Sequence, residues 1–487
     1  MTPGPRAARR RLPAALLALA LLLALMAAGA AAFVLDRVNV APRQLGPYIE
    51  RRADGHNAAI ESVGHWLGSG LVALDRDSGP LLTEAALRLG AQDAPASGRV
   101  AREVEVASVG ALYAAVGQAQ PGDAITLQPG SYRIGATLAA FQPGSEAAPI
   151  TLRARRPGSV TLLVETVEAI RIGAPWWRIE NLEMRGVCGD DSSCEHALHI
   201  VGAAHHVAIV NNTLVDFNAH IKINGENGRF PDHGLIESNT LHNTKARMTT
   251  NPVTPIDLVA ASDWNIRRNL ISDFVKGFGD GISYGAFAKG AGERNLFEQN
   301  LVWCERRLRG LGGKRVGLSL GGGATGKPYC RDRACVVEQQ DASLQSNLIA
   351  SCSDVGIYLN NAAGSRLVHN SVIDTAGVDV RFAGSSADLE GNLVDGVIRS
   401  RDGGVVRERD NRSTPPLYAY LGYSPVRALF AGREFAWRDE VPRREGATSG
   451  APHDLCGRAR SAAPAYGAFD DFAPCLASAA SAAGPQR

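Results

Sequence analysis

The 487 residues contain no Cys-x-x-Cys pair, which argues against the zinc ribbons and fingers built on that spacing. No ordered carboxylate spacing of the EF-hand kind occurs, and none of the Gly-rich stretches is a P-loop. Neither sign of charge is in excess: 51 Lys and Arg stand against 49 Asp and Glu, a formal net charge of +2. Beyond the N-terminus no long basic run interleaves with aromatics, so nucleic acid is not expected as a partner. Charge alone names no substrate.

One stretch lacks charge altogether. Arg6, Arg9, Arg10 and Arg11 precede an uncharged run from Leu12 to Leu35 that contains Ala-x-Ala-like sites ending at Ala30 and Ala32. This is the pattern of an export signal. The run is longer than the core of about 7 to 15 residues usual in a signal peptide and reaches the roughly 20 needed to cross a bilayer. A cleaved signal and a membrane anchor through residues 12–35 are both open. Either one puts the rest of the chain outside the cytoplasm, periplasmic, secreted or anchored, because the positive charges come first.

The chain does have a repeat. A branched or large apolar residue stands three places before an asparagine, and apolar residues follow: Ile209-Val-Asn-Asn212-Thr-Leu, Ile236-Glu-Ser-Asn239-Thr-Leu, Ile266-Arg-Arg-Asn269-Leu-Ile, Phe297-Glu-Gln-Asn300-Leu-Val, Leu344-Gln-Ser-Asn347-Leu-Ile, Leu367-Val-His-Asn370-Ser-Val and Leu389-Glu-Gly-Asn392-Leu-Val. Successive asparagines lie 27, 30, 31, 47, 23 and 22 residues apart, the range of solenoid coils with loops of variable length. Ile179-Glu-Asn181-Leu resembles an earlier coil with one residue fewer. Stacked coils would place each asparagine over the last, amide to amide, with the apolar residues filling one continuous core.

Between these phrases lies a second set of strands: Leu198-His-Ile200, Ile221-Lys-Ile223, Ile256-Asp-Leu258, Gly281-Ile-Ser283, Val316–Leu320, Val355–Leu359 and Val378-Asp-Val380. Their period of two marks half-buried strands. Ahead of the repeats, residues 108–119 have helical spacing and suit a cap over the open core end. The expected organisation is a signal or anchor at 1–35, a mostly helical segment at 36–103 with Glu84–Leu89 its clearest piece, a parallel β-helix at 104–402, and a C-terminal cap and tail at 403–487. Eight cysteines in an exported chain are expected to pair as Cys188–Cys194, Cys304–Cys352, Cys330–Cys335 and Cys456–Cys475.

The phrase Ala119-Gln-Pro-Gly-Asp-Ala-Ile-Thr-Leu-Gln-Pro-Gly-Ser-Tyr132, together with the asparagine repeat, resembles the pectate-lyase-like superfamily, nearest in look to its chondroitinase B and alginate lyase branch. The resemblance covers about Val104 to Asp402. It implies an all-β fold, a right-handed single-stranded parallel β-helix, and handling of acidic, uronate-containing polysaccharide. Asp454-Leu-Cys-Gly-Arg458 and Tyr466-Gly-Ala-Phe469 are similar to closing segments of such proteins. Lyases of that branch use a basic residue, with calcium held by carboxylates. Where they would show a lysine this chain reads Ile256-Asp-Leu-Val-Ala-Ala-Ser262, and where they would show arginine and histidine it reads Ile282-Ser-Tyr-Gly-Ala-Phe-Ala-Lys289. The family's catalytic pair is therefore not carried over.

With apolar partners inward, the intervening residues of the second strand set form outward columns about 4.8 Å apart between coils. That register puts His199, Lys222 and Asp257 on consecutive coils, with His220 and Asn224 beside Lys222. Such a group suits removal of a proton next to a carboxylate, the first step of β-elimination or C5 epimerisation; it equally suits a cross-strand ion pair. The candidate catalytic residues are Lys222, Asp257, His199 and His220. Glu226 and Asp232, in the polar loop 224–233, are candidate calcium ligands, and Asn224, Lys276, Lys289, Tyr358 and Asn360 are candidate sugar contacts. The stretch Gly321–Lys327 is a candidate lid. A non-catalytic polysaccharide-binding or envelope-structural β-helix remains an alternative, as does a glycoside hydrolase using Asp257 with Asp280.

Overall fold

The computed structural model describes residues 39–76, 86–96, 100–322, 325–431, 434–446 and 450–477, with scattered positions between 16 and 33. Half of the apolar run from Leu12 to Leu35 lies outside the described residues. Among the described residues no helix is long and apolar enough to cross a membrane.

The chain divides into two compact units. The smaller contains the helices Pro42–Ala53 and Ala58–Arg76. They pack closely enough that a Cβ on Gly68 would meet the Gly46 carbonyl oxygen. Arg43 and Asp75 form a buried ion pair between them at 2.6 Å. The described part of the expected helix at Glu84–Leu89 is not helical and belongs to the larger unit, where Leu87 bridges antiparallel to Leu476.

The larger unit is a right-handed parallel β-helix. Three long sheets of twelve, ten and eleven strands run its length, and their pairings between successive coils are parallel. A typical coil takes one strand from each: His196–Val201, then Ala208–Val210, then Thr213–Val215. The branched apolar residues of the repeat point inward, and Ile209, Ile236, Ile266 and Leu367 are wholly buried. The cap helix is Val109–Gly117, with Ser108 accepting from the Ala111 amide at 3.2 Å and Leu112 and Val116 buried in the core.

The repeat asparagines occupy the corner between the twelve-stranded and eleven-stranded sheets, where Asn212 stands between Ala208–Val210 and Thr213–Val215. Asn212 Nδ2 donates to Asn239 Oδ1 at 3.0 Å, and the same bond recurs through Asn269, Asn300, Asn347, Asn370 and Asn392. Each amide also donates to a carbonyl of the preceding coil, as Asn239 does to Ile209 at 2.8 Å. The corner needs this support because the residue before each asparagine is left-handed, with φ near +55° at Ser238, Arg268 and Gln299. Asn181 belongs to that left-handed column, bonded to Asn211, and Leu182 holds the ladder position of its coil. The coils also run past Asp402 to Ser413, and Asn411 ends the ladder at 2.9 Å from Asn392. No apolar residue stands three places before Asn411, so the phrase is broken there.

After the last coil the chain turns back and lays Phe430, Phe435, Phe469 and Phe472 over Leu270, Leu301, Leu348 and Leu393, the outer residues of the third sheet. Disulfides join Cys188 to Cys194, Cys304 to Cys352, Cys330 to Cys335 and Cys456 to Cys475.

Candidate functional site

The ten-stranded sheet carries the outward column. Its register runs Arg171, His199, Lys222, Asp257, Phe287, Ser319, Tyr358, Asp379 and Arg399, one residue per coil. The strand expected at Gly281–Ser283 is the start of a longer one, Ile282–Lys289. Its far end pairs with Ile256–Val259, so Phe287 is the neighbour of Asp257.

Lys222 Nζ lies 2.8 Å from Asp257 Oδ2. The other oxygen of Asp257, Oδ1, is buried without a hydrogen-bond partner among the described residues. A carboxylate oxygen so placed is poised to accept a further donor. His199 contacts Glu168 through Nδ1 and Asn224 Oδ1 through Nε2, both at 2.7 Å. The imidazole beside Glu168 draws that carboxyl down to about 2, against the opposing effect of burial. Arg171 completes the group, pairing with Glu168 at 3.3 Å and Glu226 at 2.6 Å.

His220 is not on this face. Two consecutive residues, Ala197 and Leu198, turn inward where the strand leaves the bend, and both are fully buried. Leu198 pairs with Ile221, so His220 falls in the Ala197 position, inside the coil. Its Nε2 meets the His242 carbonyl at 3.0 Å, and burial drives the ring down to about 3. It is a structural residue; period-two reading failed because the bend breaks the alternation.

Lys289 is a sharper candidate than its sequence context suggested. It follows Phe287 on the face, and its ammonium sits 4.3 Å from the centre of that ring. No hydrogen bond or ion pair to it occurs among the described residues. Burial pulls it below the ordinary lysine range, with Asp257 opposing and Lys222 reinforcing the effect. The cover is partly Gly322: a Cβ there would stand 2.5 Å from Lys289 Cδ, so this backbone lies directly on the lysine side chain. Thr325 anchors the same segment to Glu338 at 2.5 Å.

The remaining expected contacts divide. Phe230 and Tyr284 pack against the buried Val259 and Phe287, and these two half-exposed rings give the face an apolar surface suited to a sugar ring. Tyr358 lies two coils beyond Phe287 in the same column, and Asn360 leaves its Oδ1 buried without a partner among the described residues. Lys276 is buried against Asp280 at 2.8 Å and serves its own loop. Asp280 is in the turn before Ile282, away from the strand end that meets Asp257, so those two carboxylates do not face each other. Glu226 and Asp232 do not converge as calcium ligands. Glu226 is paired with Arg171, while both oxygens of Asp232 meet Arg331 at 2.7 Å.

Three site residues escaped the sequence reading. Arg171 and Glu168 sit in Glu168–Ile172, one coil before the first strand recognised; the Ile-Arg-Ile pattern at 170–172 carries the signal. Glu195 is half-buried and bonded to Asn251, its carboxyl raised by burial and opposed by that bond and by Lys222. Nothing in its local sequence marks it.

A chondroitinase B family model matches residues 106–262. No curated protein matches the chain. Among solved structures, the chain is similar to a pectate lyase at 14% identity over 79% of this chain and 98% of that one, with a TM-score of 0.42. It is similar to an alginate lyase from Paenibacillus at 13% identity, over 64% and 99% of the two chains, with a TM-score of 0.30. It is similar also to the A-module of a mannuronan C-5 epimerase from Azotobacter vinelandii at 13% identity, over 66% and 93%, with a TM-score of 0.39.

Proposed function

We propose that this is an exported carbohydrate-active protein that removes the C5 proton of a uronate in an acidic polysaccharide, with elimination as the outcome. The observation that carries the reading is Lys289: an ammonium without a hydrogen-bond partner among the described residues, lowered by burial, beside the Lys222–Asp257 pair on the ten-stranded sheet. A lysine so placed reaches its neutral form more readily and can accept a proton. Lys222 and Arg171 supply positive charge for the sugar carboxylate and for the enolate that forms when the proton leaves. The half-exposed rings of Tyr284 and Phe230 support the sugar. Loss of the C5 proton followed by departure of the C4 oxygen gives an unsaturated uronate; return of a proton from the other face would give an epimer.

The test is the ultraviolet absorbance of unsaturated uronates during incubation with alginates, pectates and glycosaminoglycans. A rise that Lys289→Met abolishes while glycan binding persists is the expected result. Inverted uronate in the polymer without that rise would move the assignment to epimerisation. Binding without any product would favour the polysaccharide-binding reading, which the ion-paired state of Lys222 supports.

A further inference from the structure

We infer that Glu168, His196 and His199 form a binding site for a divalent first-row transition ion of the zinc class, at the edge of the same face. One ligand atom from each lies within 4.8 Å of the other two. The strand alternation would put His196 and His199 on opposite faces. The pair of inward residues between them, Ala197 and Leu198, brings both imidazoles to one side, and Glu168 pairs with His196 from the neighbouring coil.

The ring nitrogens are already sorted. His196 Nδ1 lies 3.2 Å from the Ala219 carbonyl and donates to it, leaving Nε2 with its lone pair. Asn224 has its amide orientation set by Nδ2 donating to the Gly225 carbonyl at 3.1 Å. Its Oδ1 therefore faces His199 Nε2, which must carry the hydrogen. The remaining nitrogen, His199 Nδ1, points at the Glu168 carboxylate 2.7 Å away. A lone pair and a carboxylate oxygen at that distance require a cation: a proton, a metal ion, or Arg171 Nη1, which lies 3.3 Å from Nδ1 and 3.5 Å from Glu168 Oε1. Outer partners that fix the tautomer of each histidine are the usual support of a metal site.

Two imidazoles and one carboxylate make a set that suits zinc, with a fourth position open to an anionic oxygen. Calcium, which takes 6 to 8 oxygen ligands, does not match it. Arg171 Nη1 stands 3.3 Å from His199 Nδ1 and must yield to the ion. Its second bond, to Glu226 at 2.6 Å, gives it a place to remain. Ligands about 2.0 to 2.2 Å from a tetrahedral ion stand about 3.3 Å from each other, so Glu168 and His199 separate slightly and His196 swings in. Lys222 is the next residue in the column after His199.

Zinc ions titrated into the metal-stripped full chain, followed by calorimetry, test this without any need for turnover. One ion should bind per chain, a tenfold excess of calcium should leave the isotherm unchanged, and His196→Ala or Glu168→Gln should weaken binding by about tenfold or more. Circular dichroism reports whether the variants fold. Cobalt(II) added to the unaltered chain should give the intense visible spectrum of a four- or five-coordinate ion. A cobalt spectrum no stronger than that of the hydrated ion, or a zinc isotherm that folded variants do not change, would overturn the assignment. A failed uronate assay would not bear on it.

Discussion

The asparagine corner and the outward face are built from the same coils, yet they use polar groups in opposite ways. At the corner every amide is spent: Asn300 accepts from Asn269, donates to Asn347 and donates to the Ile266 carbonyl. On the face, Asp257 keeps a buried oxygen without a partner and Lys289 keeps an unbonded ammonium, among the described residues. Satisfied polar groups specify a fold, and unsatisfied ones beside a groove are available to a ligand. The contrast predicts where substitution will unfold the chain and where it will only silence it.

Acid should break the interior first. His220 and His369 are each lowered by burial from 6.5 to about 3. The fold binds their protons less readily than the unfolded chain does, so their contribution to stability is full above about pH 6.5. It is lost progressively as the pH falls towards 3. Denaturant unfolding at a series of pH values should show this decline, and His220→Leu should shift it to lower pH. Next in size, Asn300→Ala should cost about 3 kcal/mol, because it leaves buried groups on two neighbouring coils without partners. A loss below about 1 kcal/mol would mean the corner tolerates an unpaired rung.

Changes on the face should be smaller and should sharpen the comparison. Lys222→Met leaves the Asp257 carboxylate buried and alone, at a cost of about 2 kcal/mol. Adding Asp257→Leu should recover most of that loss, as a double-mutant cycle would reveal. The least effect on stability, within about 0.5 kcal/mol, is expected for Lys289→Met. Equal loss of stability at Lys289 and Asn300 would erase the distinction between the two regions.

The corner was legible in the sequence because each coil repeats one residue at one place, and the amide chemistry of asparagine explains the repetition. The outward register of His199, Lys222 and Asp257 was legible for the same reason: alternating apolar residues dictate which side chains face out. His220, His196 and Glu168 were not, because the bend turns two adjacent residues inward and shifts the alternation by one. Lys289 could be named but not understood. Its burial involves Gly322, in an insertion that follows the next strand, and no periodicity reports such a contact. Asn411 was hidden because the last coil lacks the apolar residue that announces the others.

The ladder has a further consequence for inheritance. Each rung binds its neighbour whether the chain between them is 22, 23, 30 or 47 residues long. A duplicated coil that brings its own asparagine can therefore join the stack without renegotiating the contacts above or below. A loop can likewise lengthen without the scaffold registering the change. The insertion over Lys289 belongs to the 47-residue interval between Asn300 and Asn347. A lineage of such chains can remodel what its outward face accepts while passing on the spine intact.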